Sequence, residues 1–269
     1  MPASRGVISP QMPSSPRPSL GWVSAATSAN RSTPMSPDRE TVEPWLDTEN
    51  QRLLATVDTF WDSDLAAESS LPGWSLAHLL THIARNADAL GNLLHWARTG
   101  VETPMYQSKE QRSDDINIGA LRPAGKILAD VVDSAARLQV AATELDAADW
   151  SHEVRTAQGR TIPAATVPWL RLREVAVHHV DLGASFDDLP PEFVRAFLRD
   201  VVNSTRSKRD WPSLRIKTTD SGEVAEIGSG PALDVTGAQA DVLGWLIGRT
   251  AGQNLTSSSN ALPALPAWL

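Results

Sequence analysis

WLRLREVAVHHVDLG, residues 169–183, places Glu174 and His178 four positions apart inside a segment whose apolar residues recur at helical spacing. On an α-helix four residues amount to about 40° of rotation and roughly 6 Å of rise, so a carboxylate and an imidazole emerge on one face, one turn apart. That geometry suits two ligands of one metal ion. A second segment, GWSLAHLLTHIARNADALGNLLHW (residues 73–96), is also helical in pattern and carries His82 among Leu79, Leu80, Ile83 and Leu90. If the two helices pack together, His82 can supply a third ligand. Two histidines and one carboxylate leave a coordination position open, which separates a catalytic zinc site from a closed structural one.

The bland alternative is that these are satisfied core residues. Arg171, Glu174 and His178 are spaced i, i+3, i+7 and share a face, so an acid buried there needs a partner, either a metal or simply Arg171. His78 and His82 form another i, i+4 pair, and both stand as ligand candidates on spacing alone. His95 lies about 220° around the helix from His82 and cannot share its site, and His179 is turned about 100° from His178.

Composition narrows the function classes. The net charge of −8, with basic residues scattered, argues against nucleic acid as a partner. No apolar run approaches the ~20 residues that span a bilayer, so no membrane insertion is expected. The expected location is the cytoplasm. Cysteine is absent, so the protein carries no thiol of its own, and sulfur chemistry would need an external thiol.

Around the central helix the chain reads as an all-α four-helix bundle followed by a small α+β domain. Residues 1–37, rich in Ser and Pro at their start, read as a disordered tail, and Met35 is a second candidate start. The bundle spans residues 38–187. Its helices are expected at about 38–64, with a possible interruption at 47–51, then from Trp74-Ser75 to about Arg98, within 123–145, and across Glu174 and His178. Residues 100–115, polar and bearing Pro104, read as a loop. The domain of residues 188–269 begins at Pro190-Pro191, with a helix at 192–204, β-like runs at 214–218, 224–227 and 232–235, and a helical period at 238–249. The apolar tail 262–269 is expected to pack back onto the protein.

The Gly73-Trp74 opening, His82 nine residues after that glycine, and the REVAVHHVDLG block resemble the DinB/YfiT-like metal-binding bundle proteins. The resemblance is closer still to the mycothiol-dependent maleylpyruvate isomerases. It runs through LLHWARTGVETPMY (93–106), AADWSHEV (147–154), TAQGRTIPA (156–164) and the closing Ala267-Trp268-Leu269, and covers the chain from Asp38 to its end.

The resemblance implies a zinc site of His82, Glu174 and His178, with His78 not a ligand, and a C-terminal domain similar to sterol-carrier-type folds. It implies mycothiol as thiol cofactor and a dicarboxylate substrate, maleylpyruvate, isomerised from cis to trans to give fumarylpyruvate in gentisate degradation. The thiolate would add reversibly to the double bond. Arg249 in LIGR matches an arginine that the family uses from its C-terminal domain, expected here to reach across a cleft and grip substrate. Arg171 and Arg160 are weaker substrate-binding candidates, with a surface salt bridge as the plain alternative for each. The alternatives for the whole chain are a mycothiol- or bacillithiol-dependent S-transferase of the same fold, or a non-catalytic metal or ligand carrier.

Overall fold

A computed structural model describes residues 36–206, 208–259 and 261–268. The tail assigned to residues 1–37 lies almost wholly outside them. Helix α1 (Arg39–Val57) starts where the Asp38 carboxylate accepts from the Thr41 amide at 2.8 Å, and continues unbroken through the expected interruption. Helix α2 (Leu76–Thr99) ends at Gly100, whose φ of 71° suits a residue with no Cβ. Helices α4 (Ala124–Thr143) and α5 (Val167–Asp181) complete the bundle, with α2 packed along α4 and α1 along α5.

The loop expected at 100–115 gives way to a helix, α3 (Lys109–Gly119). Its sequence, KEQRSDDINIG, has almost no apolar stripe, so periodicity does not reveal it. It is held at its ends and at one contact. The Ser108 hydroxyl caps the Gln111 amide at 3.0 Å, Ile116 is buried, and Gly119 lies so close to α2 that an added Cβ would come within 2.5 Å of the Thr81 methyl. The long connection after α4 contains a hairpin of β1 (Glu153–Arg155) and β2 (Thr161–Pro163), whose Val154 and Ile162 close over Leu90, Leu93, Leu94 and Ala97.

The C-terminal part follows its pattern closely. Helix α6 (Pro191–Thr205) precedes β3 (Leu214–Thr218), β4 (Val224–Ile227) and β5 (Leu233–Gly237), then α7 (Gln239–Leu246) and β6 (Thr256–Ser257). The sheet order is β4-β3-β5-β6, with β3 and β5 parallel and the outer pairs antiparallel. Leu214 and Ile216 point into the core and Arg215 and Lys217 point out, the alternation of a sheet covered on one face. Trp268 returns to this core, with its ring beside Phe197 and its indole N–H on the Ser204 hydroxyl.

Helix α5 belongs to both cores, which explains why it is buried nearly all round. Val175 packs into the bundle with Leu53, Leu80 and Ile83, while Trp169, Leu172 and Ala176 pack against Phe193, Phe197 and the sheet. Its C-terminal end therefore stands where the bundle and the C-terminal elements meet.

Candidate metal centre

Helices α2 and α5 bring His82, Glu174 and His178 together. The two imidazole Nε2 atoms are 3.0 Å apart, and Glu174 Oε2 lies 3.3 Å from His82 Nε2 and 3.5 Å from His178 Nε2. Among the described residues this is the one group of three potential ligands whose atoms converge in this way. A tetrahedral ion with bonds of ~2.05 Å separates its ligands by ~3.3 Å, so the three atoms stand at the spacing a zinc-sized ion requires. Both histidines are buried and Glu174 is partly open, leaving an approach from one side.

The surroundings fix charge and orientation. Burial pushes the His82 imidazole below its ordinary pKa, favouring the neutral form that can offer a lone pair. Burial acts in the same direction on His178 but is outweighed by Asp181 and Glu174, which hold it above the ordinary histidine value. Burial also opposes ionisation of Glu174, yet the two imidazoles keep it well below the usual carboxylate range. His178 Nδ1 donates to Asp181 Oδ2 at 2.8 Å, which turns Nε2 toward the centre, the arrangement that commonly orients metal-bound histidine. His78 faces elsewhere, its Nδ1 bonded to the Ser75 hydroxyl and amide at the start of α2. His179 also turns away, bonded through Nδ1 to Glu49 at 2.6 Å and through Nε2 to the Thr56 hydroxyl at 2.8 Å.

Over residues 46–183, about half of the chain, the sequence matches the family described as mycothiol maleylpyruvate isomerase N-terminal domain. A crystal structure of the mycothiol-dependent maleylpyruvate isomerase is 34% identical, and the match covers 86% of this chain and 98% of that one, at a TM-score of 0.83. The chain belongs to the mycothiol-dependent maleylpyruvate isomerase family. A histidine-to-alanine mutant of the same enzyme matches at 34% identity and equal coverage, with a TM-score of 0.82. No curated protein matches the sequence. No helix among the described residues is long and apolar enough to cross a membrane.

Within this isomerase-family fold the three arginines singled out from sequence take different positions. Arg249 does not stand free in a cleft. Just beyond Gly248, where the chain turns at φ 73°, it folds back so that Nε and Nη2 grip Asp181 Oδ1 and Oδ2 at 2.9 and 3.1 Å. Its Nη1 also meets the Ile247 carbonyl at 3.2 Å, so it partly caps its own helix end. Arg171 is not the surface ion pair of the plain alternative. It is 1% exposed, and Nη1 donates to the Ile83 carbonyl and to Asn86 Oδ1 while Nε and Nη2 have no partner among the described residues. Arg160 sits exposed in the β1–β2 turn, where its backbone bonds to Thr156, and no hydrogen bond or ion pair joins its side chain to the cluster among the described residues.

Four residues at the site escape sequence reasoning. Asp181 was within reach of the i, i+3 spacing that ties it to His178. Trp74, whose ring meets His82 edge-on at 5.5 Å, stands at the expected start of the helix, where nothing in the spacing signals that contact. Arg112 carries no signal either, and Tyr106 only closes the LLHWARTGVETPMY stretch, which gives it no role. They lie on α3 and on the segment before it, with the Arg112 guanidinium 5.6 Å from the Tyr106 ring and its Nη2 3.2 Å from His82 Nδ1.

Proposed function

We propose that the protein catalyses the cis-to-trans isomerisation of maleylpyruvate to fumarylpyruvate, a step of gentisate degradation, with mycothiol as cofactor and a zinc ion held by His82, Glu174 and His178. The observation that carries this reading is the convergence of two imidazole nitrogens and one carboxylate oxygen, 3.0 to 3.5 Å apart, in a chain whose family and structural relatives are mycothiol-dependent isomerases. When bound, the ion would lower the pKa of a thiol at its open position, and thiolate addition to the conjugated double bond would permit rotation before the thiolate leaves. The absence of cysteine fits a thiol that comes from outside. We place the reaction in the cytoplasm, where such thiols are kept reduced.

The chain's own residues do the positioning. Once the His178 proton is displaced, His82 and His178 would present neutral Nε2 atoms to the ion, and Glu174 would supply the single negative charge of the ligand set. Asp181 holds the Nδ1 proton of His178 and so prevents the ring from turning. Arg249 holds Asp181 by both oxygens, which makes it a positioning residue in this arrangement. To take a substrate carboxylate with the same edge it would have to release Asp181. Trp74 packs edge-on against the His82 ring.

An ultraviolet assay of maleylpyruvate with the metal-loaded protein tests the reading. Isomerisation that requires added mycothiol is expected. Formation of a stable thioether instead would identify an S-transferase, and no reaction with or without the thiol would overturn an enzymatic role on this substrate.

A further inference from the structure

Two arginines border the metal centre without a carboxylate partner. Among the described residues neither Arg112 nor Arg171 forms an ion pair, whereas Arg173 on α5, Arg85 on α2 and Arg249 beyond α7 each have at least one. For Arg171 this is costly, because it is fully buried, and burial pushes its pKa down to about 10 even with Glu174 and Tyr106 acting to raise it. The unused atoms are informative. Nε and Nη2 form the side-on edge of a guanidinium, the edge that matches the two oxygens of a carboxylate. Arg249 uses that very edge on Asp181.

Both arginines reach α2 at the metal centre. Arg112 Nη2 lies 3.2 Å from His82 Nδ1, and Arg171 Nη1 donates to the carbonyl of Ile83, the residue after His82. Arg112 makes one side-chain hydrogen bond among the described residues, to His82 Nδ1. When Nε2 of a neutral imidazole serves as ligand, Nδ1 carries the proton and cannot accept from a guanidinium, so Arg112 then has every donor available.

We propose that Arg112 and Arg171 form a carboxylate-binding wall beside the His82/Glu174/His178 centre. This rests on the reaction proposed above and names how its substrate is held. Charge supports it. A divalent ion, Glu174 and the two arginines sum to +3, with Asp181 and Arg249 cancelling, and a thiolate plus a dicarboxylate bring −3. A thiol substrate without carboxylates would leave the fully buried Arg171 and the half-buried Arg112 unmatched.

The test is calorimetric binding of maleate, a cis dicarboxylate, to the zinc-loaded protein, with metal content and melting temperature measured on each sample. Arg112→Gln is expected to weaken maleate at least tenfold with zinc unchanged, and Arg112→Lys to recover part of the loss. Arg171→Gln is expected to do the same, and because that buried site risks misfolding, the half-buried Arg112 pair decides the matter. Folded, zinc-loaded Arg112→Gln that binds maleate as the wild type does would overturn the wall, as would a wild type that does not bind maleate. Failure of the isomerisation assay with maleate binding still dependent on Arg112 would overturn the reaction and leave the wall standing.

Discussion

Arg249 and Asp181 meet edge to edge, with two parallel hydrogen bonds of 2.9 and 3.1 Å, and this pair joins the C-terminal elements to the metal centre. Asp181 is almost fully buried, and its carboxyl is held below the usual range because His178 and Arg249 outweigh the effect of burial. A buried carboxylate that loses its guanidinium would be left short of charge compensation and hydrogen bonds, and would hold the His178 ring less firmly. Arg249→Ala is therefore expected to lower zinc affinity ~10- to 100-fold, the usual cost of losing support around a metal ligand, and Asp181→Asn to do the same. Competition with a zinc-binding dye measures this. Unchanged affinity in both variants would mean that the pair acts on substrate or stability alone.

The ligand set has its own outcome. Purified protein is expected to hold one zinc per chain, with His82→Ala, Glu174→Ala and His178→Ala each removing most of it and His95→Ala removing none. Binding must displace the His178 proton, and since that pKa is raised, competition by protons begins at a higher pH than for an ordinary histidine. Zinc retention measured against pH should fall from near neutrality downward. Retention by the Glu174 variant equal to wild type would remove Glu174 from the set.

Much of this was legible because the signals are local. The i, i+4 spacing of Glu174 and His178 carries directly into geometry, and the β-like runs at 214–218 and 224–227 coincide with β3 and β4 because alternation with one covered face leaves a clear period. Arg112 was hidden for the opposite reason. It sits on a helix held by a cap, one buried isoleucine and a close approach at Gly119, none of which has a period. The fate of Arg249 was also out of reach, since its partner lies 68 positions away and spacing says nothing about contacts of that range.

Glu49 and His179 form a buried tie between α1 and α5 beside the centre, at 2.6 Å, extended by Arg52 on Glu49 and by the Thr56 hydroxyl on the ring. Glu49 is 2% exposed. Glu49→Ala leaves the buried His179 ring without its carboxylate, while Arg52 keeps the Asp188 carbonyl, and is expected to cost ~2–3 kcal/mol; Glu49→Gln, which keeps an acceptor, should cost only about 1. Zinc content should stay at wild-type level in both. Denaturant unfolding gives the energies, and a loss of zinc with stability intact would show that the tie serves the centre and not the bundle.

Asp130 on α4 gathers three arginines, Arg85 at 2.7 Å, Arg122 at 2.8 Å and Arg137 at 3.4 Å, and so joins α2, the α3–α4 turn and α4. Its side chain is 13% exposed, and burial alone would raise its pKa, but the arginines prevail and hold it below the ordinary aspartate value. A carboxyl whose pKa is lower folded than unfolded adds stability that is full above the unfolded value and disappears as pH falls through the folded one. The partners are partly open to solvent and screened, so the contribution is expected to be ~1–2 kcal/mol and smaller in high salt. Asp130→Asn should thus be destabilised relative to wild type at pH 7. The gap should begin to close as pH drops below about 4 and be gone once the wild-type carboxyl is protonated. Paired melting curves from pH 7 down to 2.5 provide the measurement. A gap that persists unchanged into acid would mean that the Asp130→Asn variant is weakened through packing and that the charge network contributes nothing.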